Sequence, residues 1–105
     1  MSRPFVKVYR YRLRPEAAER CLDAWRRAQE IYARHVPMTA FHLQSVDEPE
    51  AWLELNVFPD EESYRRGIEL VNADPDHNAL WREIESALLD GRVESESFEQ
   101  AARLP

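Results

Sequence analysis

Between Trp52 and Asp60 the chain reads WLELNVFPD, and Trp52, Glu54, Asn56 and Phe58 fall on one side of an extended strand. That side carries a carboxylate and an amide between two aromatic rings. A solvent-facing side would more usually carry Lys, Glu and Thr without large rings, and a core side would not carry Glu and Asn. The mixture reads as the wall of a partly polar cavity. A carboxylate in such a wall tends to a raised pKa and can act as a general base near neutrality. The chemistry it suits is removal of a proton from a bound molecule. The structural alternative is that Glu54 pairs with Lys7, or with a cation of a partner chain, and only fixes a dimer.

The other candidates divide in the same way. Asn56 suits orientation of substrate or oxygen, or a hydrogen bond to a neighbouring strand. Tyr9, Tyr11 and Tyr64 suit hydrogen bonds to a substrate carbonyl, or an interface lined by amphipathic rings. The candidate set is therefore Glu54, Asn56 and Tyr64 for catalysis, with Tyr9, Tyr11, Trp52, Phe58 and His77 for substrate binding. His35, His42 and His77 are too dispersed for metal-ligand spacing, so no metal site is expected. Trp25 and Trp81 sit on helical apolar stripes and read as core, and Cys21 as an inert small hydrophobe.

The elements that position these residues follow from periodicity. Phe5 to Leu13 is a β-branched and aromatic strand with faces Phe5, Lys7, Tyr9, Tyr11, Leu13 and Val6, Val8, Arg10, Arg12. Pro15 to about His35 repeats apolar residues at three and four and reads as a helix stopped by Pro37. Thr39 to Val46 is a second strand, turned by DEPE into the Trp52 strand to make a hairpin. Asp60 caps a second helix, which NADP interrupts at Asn72 to Pro75. Asp74 caps its continuation, which ends at Asp90-Gly91. Arg92 to Gln100 is a polar strand near a sheet edge, and Ala101 to Pro105 a loose tail.

The order β-α-β-β-α-β, with the second helix broken, is the ferredoxin-like α+β pattern. Leu53, Leu55 and Val57 make a wholly aliphatic face and are expected to pack on the helices. The tyrosine face of the first strand is then expected to share the cavity with Glu54 and Asn56. Tyr9, Tyr11, Trp52 and Phe58 would leave an aromatic patch on the open side, which a two-fold partner would cover.

A chain of 105 residues holds one domain, with a core over 5–98 and a tail over 99–105. A net charge of −6 argues against nucleic acid or an anionic membrane as the main partner. Cys21 is alone, and no signal peptide or long apolar run occurs, so a soluble cytoplasmic protein is expected. Two glycines exclude a phosphate-cradling glycine loop.

The runs VYRYRLRPEAAERCLDAWRRA, WLELNVFPDEESYRR and ADPDHNALWREIESAL resemble the antibiotic biosynthesis monooxygenase superfamily from about Phe5 to Phe98. The resemblance implies a homodimeric α+β barrel. It further implies an enzyme that uses no cofactor and acts on a small aromatic or polyketide-like molecule held between sheet and helices. A non-catalytic barrel that binds a small ligand, or serves only in assembly, is the alternative it leaves open. Quinone-forming members use an Asn and a Trp on the third strand and a Tyr early in the next helix. Glu54, Phe58 and Tyr64 stand at those places, so only the tyrosine matches, and Asn56 lies one inward position further on. Haem-degrading members use an Asn, a Trp and a His where Tyr9, Phe58 and about Trp81 stand. The resemblance therefore implies no haem site. A titration followed at the Soret band is expected to give no stoichiometric complex, and a sub-micromolar one would contradict this.

Overall fold

The expected element order is the observed one in the computed structural model, which describes residues 3–105. Strand β1 (Phe5–Leu13) runs through a 3-10 turn (Pro15–Ala17) into α1 (Ala18–Ala33). Strands β2 (Thr39–Gln44) and β3 (Ala51–Phe58) form the hairpin, followed by α2 (Glu61–Ala73), α3 (Pro75–Ala87) and β4 (Leu88–Glu99). The strands make one antiparallel sheet in the order β2-β3-β1-β4, with the helices on one face. The tail after Gln100 is exposed and irregular. Among the described residues no helix is long and apolar enough to cross a membrane.

The helix boundaries have local causes. Asp60 caps α2 by accepting from the Ser63 amide at 2.7 Å. Asp74 ends α2 and caps α3, accepting from the Asp76 amide at 3.0 Å, and its carboxylate also meets His35 Nε2 at 3.0 Å. These contacts hold the Asp74 carboxyl below its usual range, the His35 hydrogen bond most of all. Strand β4 begins earlier than polarity suggests. Leu88 is buried and pairs with Leu13, and the ladder is irregular between there and Val93. Gly91 lies in that irregular stretch with φ of 71°. The dipeptide Asp90-Gly91 is thus a kink within the strand rather than a helix stop.

The two sheet faces are the reverse of the expectation. Trp52, Glu54, Asn56 and Phe58 are buried under the helices, as are Phe5, Tyr11 and Leu13 of β1. Leu53, Leu55 and Val57 lie on the open side with Val6, Val8, Phe41, Leu43 and Phe98. The reason lies on α1, whose buried positions are Cys21, Ala24, Ala28 and Ile31. Small side chains leave a wide gap above the sheet, and large rings fill it where Leu and Val would leave voids. The exposed patch is therefore one of Val, Leu and Phe side chains, with Phe41, Leu43 and Phe98 about half exposed, and not the Tyr9, Tyr11, Trp52 and Phe58 patch anticipated.

Gly67 of α2 faces Val36, and a Cβ there would fall inside contact distance of the Val36 side chain. Gly67→Ala should therefore lose more to overpacking, about 1–3 kcal/mol, than the ~1 kcal/mol it gains in helix propensity. A denaturant midpoint below that of the parent is the expected result.

Candidate active site between sheet and helices

A cavity of about 380 Å3 lies between the covered sheet face and the helices. Strand β1 contributes Tyr9 and Tyr11, β3 contributes Glu54 and Asn56, and α1 contributes Trp25 and Tyr32. Helices α2 and α3 add Tyr64, Ile68, His77 and Trp81. Six of the eight residues singled out from the sequence thus meet in one space. Trp52 and Phe58 do not. Trp52 packs in the main core beside Tyr11, and Phe58 packs on Phe5 and Tyr64 with ring centroids at 6.5 and 5.0 Å. They sit at the two ends of the strand, where the sheet side closes over them, and so brace the cavity from outside.

Glu54 is 8% exposed and receives a hydrogen bond from Asn56 Nδ2 to Oε2 at 2.7 Å. Burial raises its pKa from the ordinary value of 4.5 to about 7, and the Asn56 hydrogen bond only partly opposes that rise. Lys7 does not offset it. Its Nζ donates to Ser97 Oγ at 3.0 Å and lies over the rings of Tyr9 and Tyr64. The structural alternative, a Glu54–Lys7 pair, is absent.

Asn56 is 3% exposed, and its Oδ1 has no hydrogen-bond partner among the described residues. His77 Nδ1 is likewise buried and unpartnered, with its ring edge-on to Tyr32 at 5.7 Å. Burial lowers the His77 pKa. Burial raises the phenols of Tyr9, Tyr11 and Tyr32, which stay neutral hydrogen-bonding groups. The Cys21 thiol, pushed up to about 12 by burial, is inert as expected. The cavity is thus apolar walled, with one titratable carboxyl and two idle polar atoms.

Sequence reasoning missed His42, Trp25 and Trp81. His42 stands directly across the hairpin from Glu54, with Nδ1 3.8 Å from Oε1 and 3.3 Å from the Tyr11 hydroxyl. The hairpin register would have paired them had the turn length been counted. Trp25 and Trp81 lie at the borders of their apolar stripes, where a residue faces a cavity as readily as a core.

No protein-family model and no curated protein matches the sequence. Solved structures match it over almost its whole length. SnoaB, a cofactor-independent oxygenase from Streptomyces nogalater, superposes with a TM-score of 0.77 at 18% identity, covering 99% of both chains. The fold is that of the antibiotic biosynthesis monooxygenase and NIPSNAP structures. A Nitrosomonas europaea protein provisionally described as such a monooxygenase has a TM-score of 0.75 at 12% identity, covering 96% of this chain and 93% of its own. An uncharacterised NIPSNAP domain protein from Burkholderia xenovorans has a TM-score of 0.76 at 17% identity, covering 96% and 98%. At such identities the likeness establishes the architecture, and the site must be argued from its own residues.

The raised carboxyl makes stability depend on pH. Below about pH 4.5 Glu54 is protonated folded or unfolded and contributes no difference. As pH rises from there to about 7, only the unfolded chain releases the proton, so folding stability falls across that window and stays lower above it. The cost above pH 7 is on the order of 3 kcal/mol. Glu54→Gln should therefore be more stable than the parent at pH 8 and equal to it near pH 4. Paired denaturation curves at the two pH values check this, and the difference between the proteins isolates the carboxyl from the histidines.

Proposed function

We propose that this chain is a small cytoplasmic enzyme of the cofactor-independent monooxygenase type, acting on a hydroxylated aromatic or polyketide-like molecule. The observation that carries the reading is the buried Glu54 carboxyl, raised to about 7, on the wall of a 380 Å3 cavity. Such a volume is within the range of real ligand sites. Asn56 Oδ1 asks for a donor, which a ligand hydroxyl supplies. Glu54 would take the hydroxyl proton, and the resulting anion would give an electron to dioxygen. One oxygen atom would enter the ring as a new carbonyl, and the other would leave with two hydrogens as water. Tyr9, Tyr11 and Tyr64 would hold the ring system, and His77 would meet a second polar group at the α3 end.

A second reading, a ligand-binding or assembly barrel without catalysis, is favoured by Phe58, which stands where the resemblance calls for an indole and is turned out of the cavity. Oxygen uptake separates the two. With a hydroxylated anthrone or naphthol as substrate, the parent should consume oxygen. Glu54→Gln should lose about 100-fold or more of that rate while still binding the ligand. Binding without uptake by the parent would favour the second reading.

The working form is proposed to be a homodimer joined through the open sheet face. Its Val, Leu and Phe side chains, and not Tyr9, Tyr11, Trp52 and Phe58, are what a partner would cover. Such an interface should bury more than about 1,500 Å2 in total. Sedimentation should show a dimer at micromolar concentration, and Leu55→Arg, at the middle of that face, should give a monomer. Glu54→Gln should leave the dimer intact, because Glu54 points to the helices.

A further inference from the structure

The side chain of Glu54 faces two ways. Its Oε2 is held by Asn56 at 2.7 Å, while Oε1 faces His42 Nδ1 at 3.8 Å. Glu54 lines the internal cavity, and His42 does not. His42 instead borders a separate groove between α1 and β2, with Arg26, Gln29 and Met38. Its ring is fixed against Trp25, with centroids at 4.8 Å, and its side chain keeps 18% exposure. The imidazole thus joins the inner carboxyl to the outer groove.

Resting on the function proposed above, we infer that Glu54 and His42 form a proton relay in which the proton taken from a ligand hydroxyl comes to rest on His42. The argument is one of charge. If Glu54 ionised by losing its proton to solvent, a lone carboxylate would be left in a largely apolar cavity, and once it had taken the ligand proton an equally uncompensated ligand anion would stand in its place. Passing the proton to His42 leaves an ion pair instead. In the first transfer the Glu54 O–H bond breaks and an N–H bond forms at His42 Nδ1. In the second the ligand O–H bond breaks and the proton returns to the Glu54 carboxylate. The pair ends as a neutral carboxyl and an imidazolium, and the imidazolium balances the ligand anion. Net charge is zero before and after, and the reverse path gives the proton back once the product no longer needs it. A separation of 3.8 Å is in keeping with an empty site, where such hydrogen bonds are long and tighten when substrate binds.

The Tyr11 hydroxyl also meets His42 Nδ1, at 3.3 Å, and as a neutral phenol it can accept from that nitrogen once it is protonated. Tyr9 and Tyr11 from β1, and Tyr32 and Cys21 from α1, are all raised by burial and stay neutral. Burial raises Glu54 and lowers His42, so below about pH 7 the carboxyl holds its proton at rest and the imidazole is neutral. Arg26 beside the groove is the charged neighbour of His42 on α1, while Tyr64 and His77 face the cavity from α2 and α3.

The test uses 4-nitrophenol, whose anion is coloured, bound to the full chain. The pH at which the bound probe ionises is measured for the parent, His42→Phe, Glu54→Gln and the double variant. His42→Phe keeps a ring on Trp25 and loses the proton site. Relative to the parent, each single variant should need about one pH unit more, a tenfold loss of bound anion at fixed pH. The double variant should lose no more than either single one, as expected of groups that titrate together. As a check that needs no variant, the His42 ring nitrogens in nitrogen NMR should move to their protonated positions when the probe binds the parent. Binding with unchanged ionisation in His42→Phe, or unmoved His42 nitrogens, would overturn the relay and leave the cavity reading standing. Failure of the parent to bind the probe would overturn the cavity reading, and the relay with it.

Discussion

The molecule depends on a size match across one interface. Helix α1 presents Cys21, Ala24 and Ala28 to the sheet, and the sheet answers with Tyr11, Trp52 and half-buried Tyr9. Small side chains on a helix leave space that large rings on the facing sheet fill, because interiors pack to near crystalline density. That pairing decides which sheet face is covered. With the aromatic face inward, Glu54 and Asn56 must go inward too, since they share its period. Their burial is a consequence of the strand's alternation, and the cavity is the space the rings do not fill.

The carboxyl would be a defect if it were isolated. Asn56 donates one amide hydrogen to Glu54, while its own carbonyl oxygen has no partner among the described residues. The unmet hydrogen-bonding capacity is moved to the cavity rather than removed, which is what a site awaiting a polar ligand requires. Asp74 performs a comparable service at the helix break. One residue ends α2 by its backbone N–H to the Val71 carbonyl, and its carboxylate starts α3 and meets His35 just past the end of α1. The side chains that α2 and α3 lend to the cavity are therefore referenced to the same point.

Much of this was legible in the sequence. Alternation along Trp52–Phe58 showed which residues share a face, and the periodicity of α1 and the Asn72–Pro75 break placed the helices. Alternation cannot show which face is covered, because that depends on the partner surface. The alanines of α1 carry that information, because small side chains on the helix leave room for rings on the sheet. Leu53, Leu55 and Val57 looked like core because they are aliphatic, yet a sheet face awaiting another surface has the same composition. His42 was hidden for a different reason. Its closeness to Glu54 is a property of hairpin register, and a lone histidine on a short strand gives no local signal.

The sheet order has a consequence for how the protein is made. Strand β1 is synthesised first, yet it lies between β3 and β4, and Phe5 is paired with Phe58 on one side and Glu99 on the other. The strand bearing Tyr9 and Tyr11 therefore waits for nearly the whole chain before its second neighbour arrives. Closing such distant pairings is slow relative to helix formation, because loop entropy must be lost before the contacts repay it. On a ribosome the helices can form while the sheet is still missing its last strand, with the first strand's outer edge unpaired. A chain cut short anywhere in β4 would keep Glu54, His42 and all three helices, and yet would leave the strand at the centre of the cavity wall on an open edge.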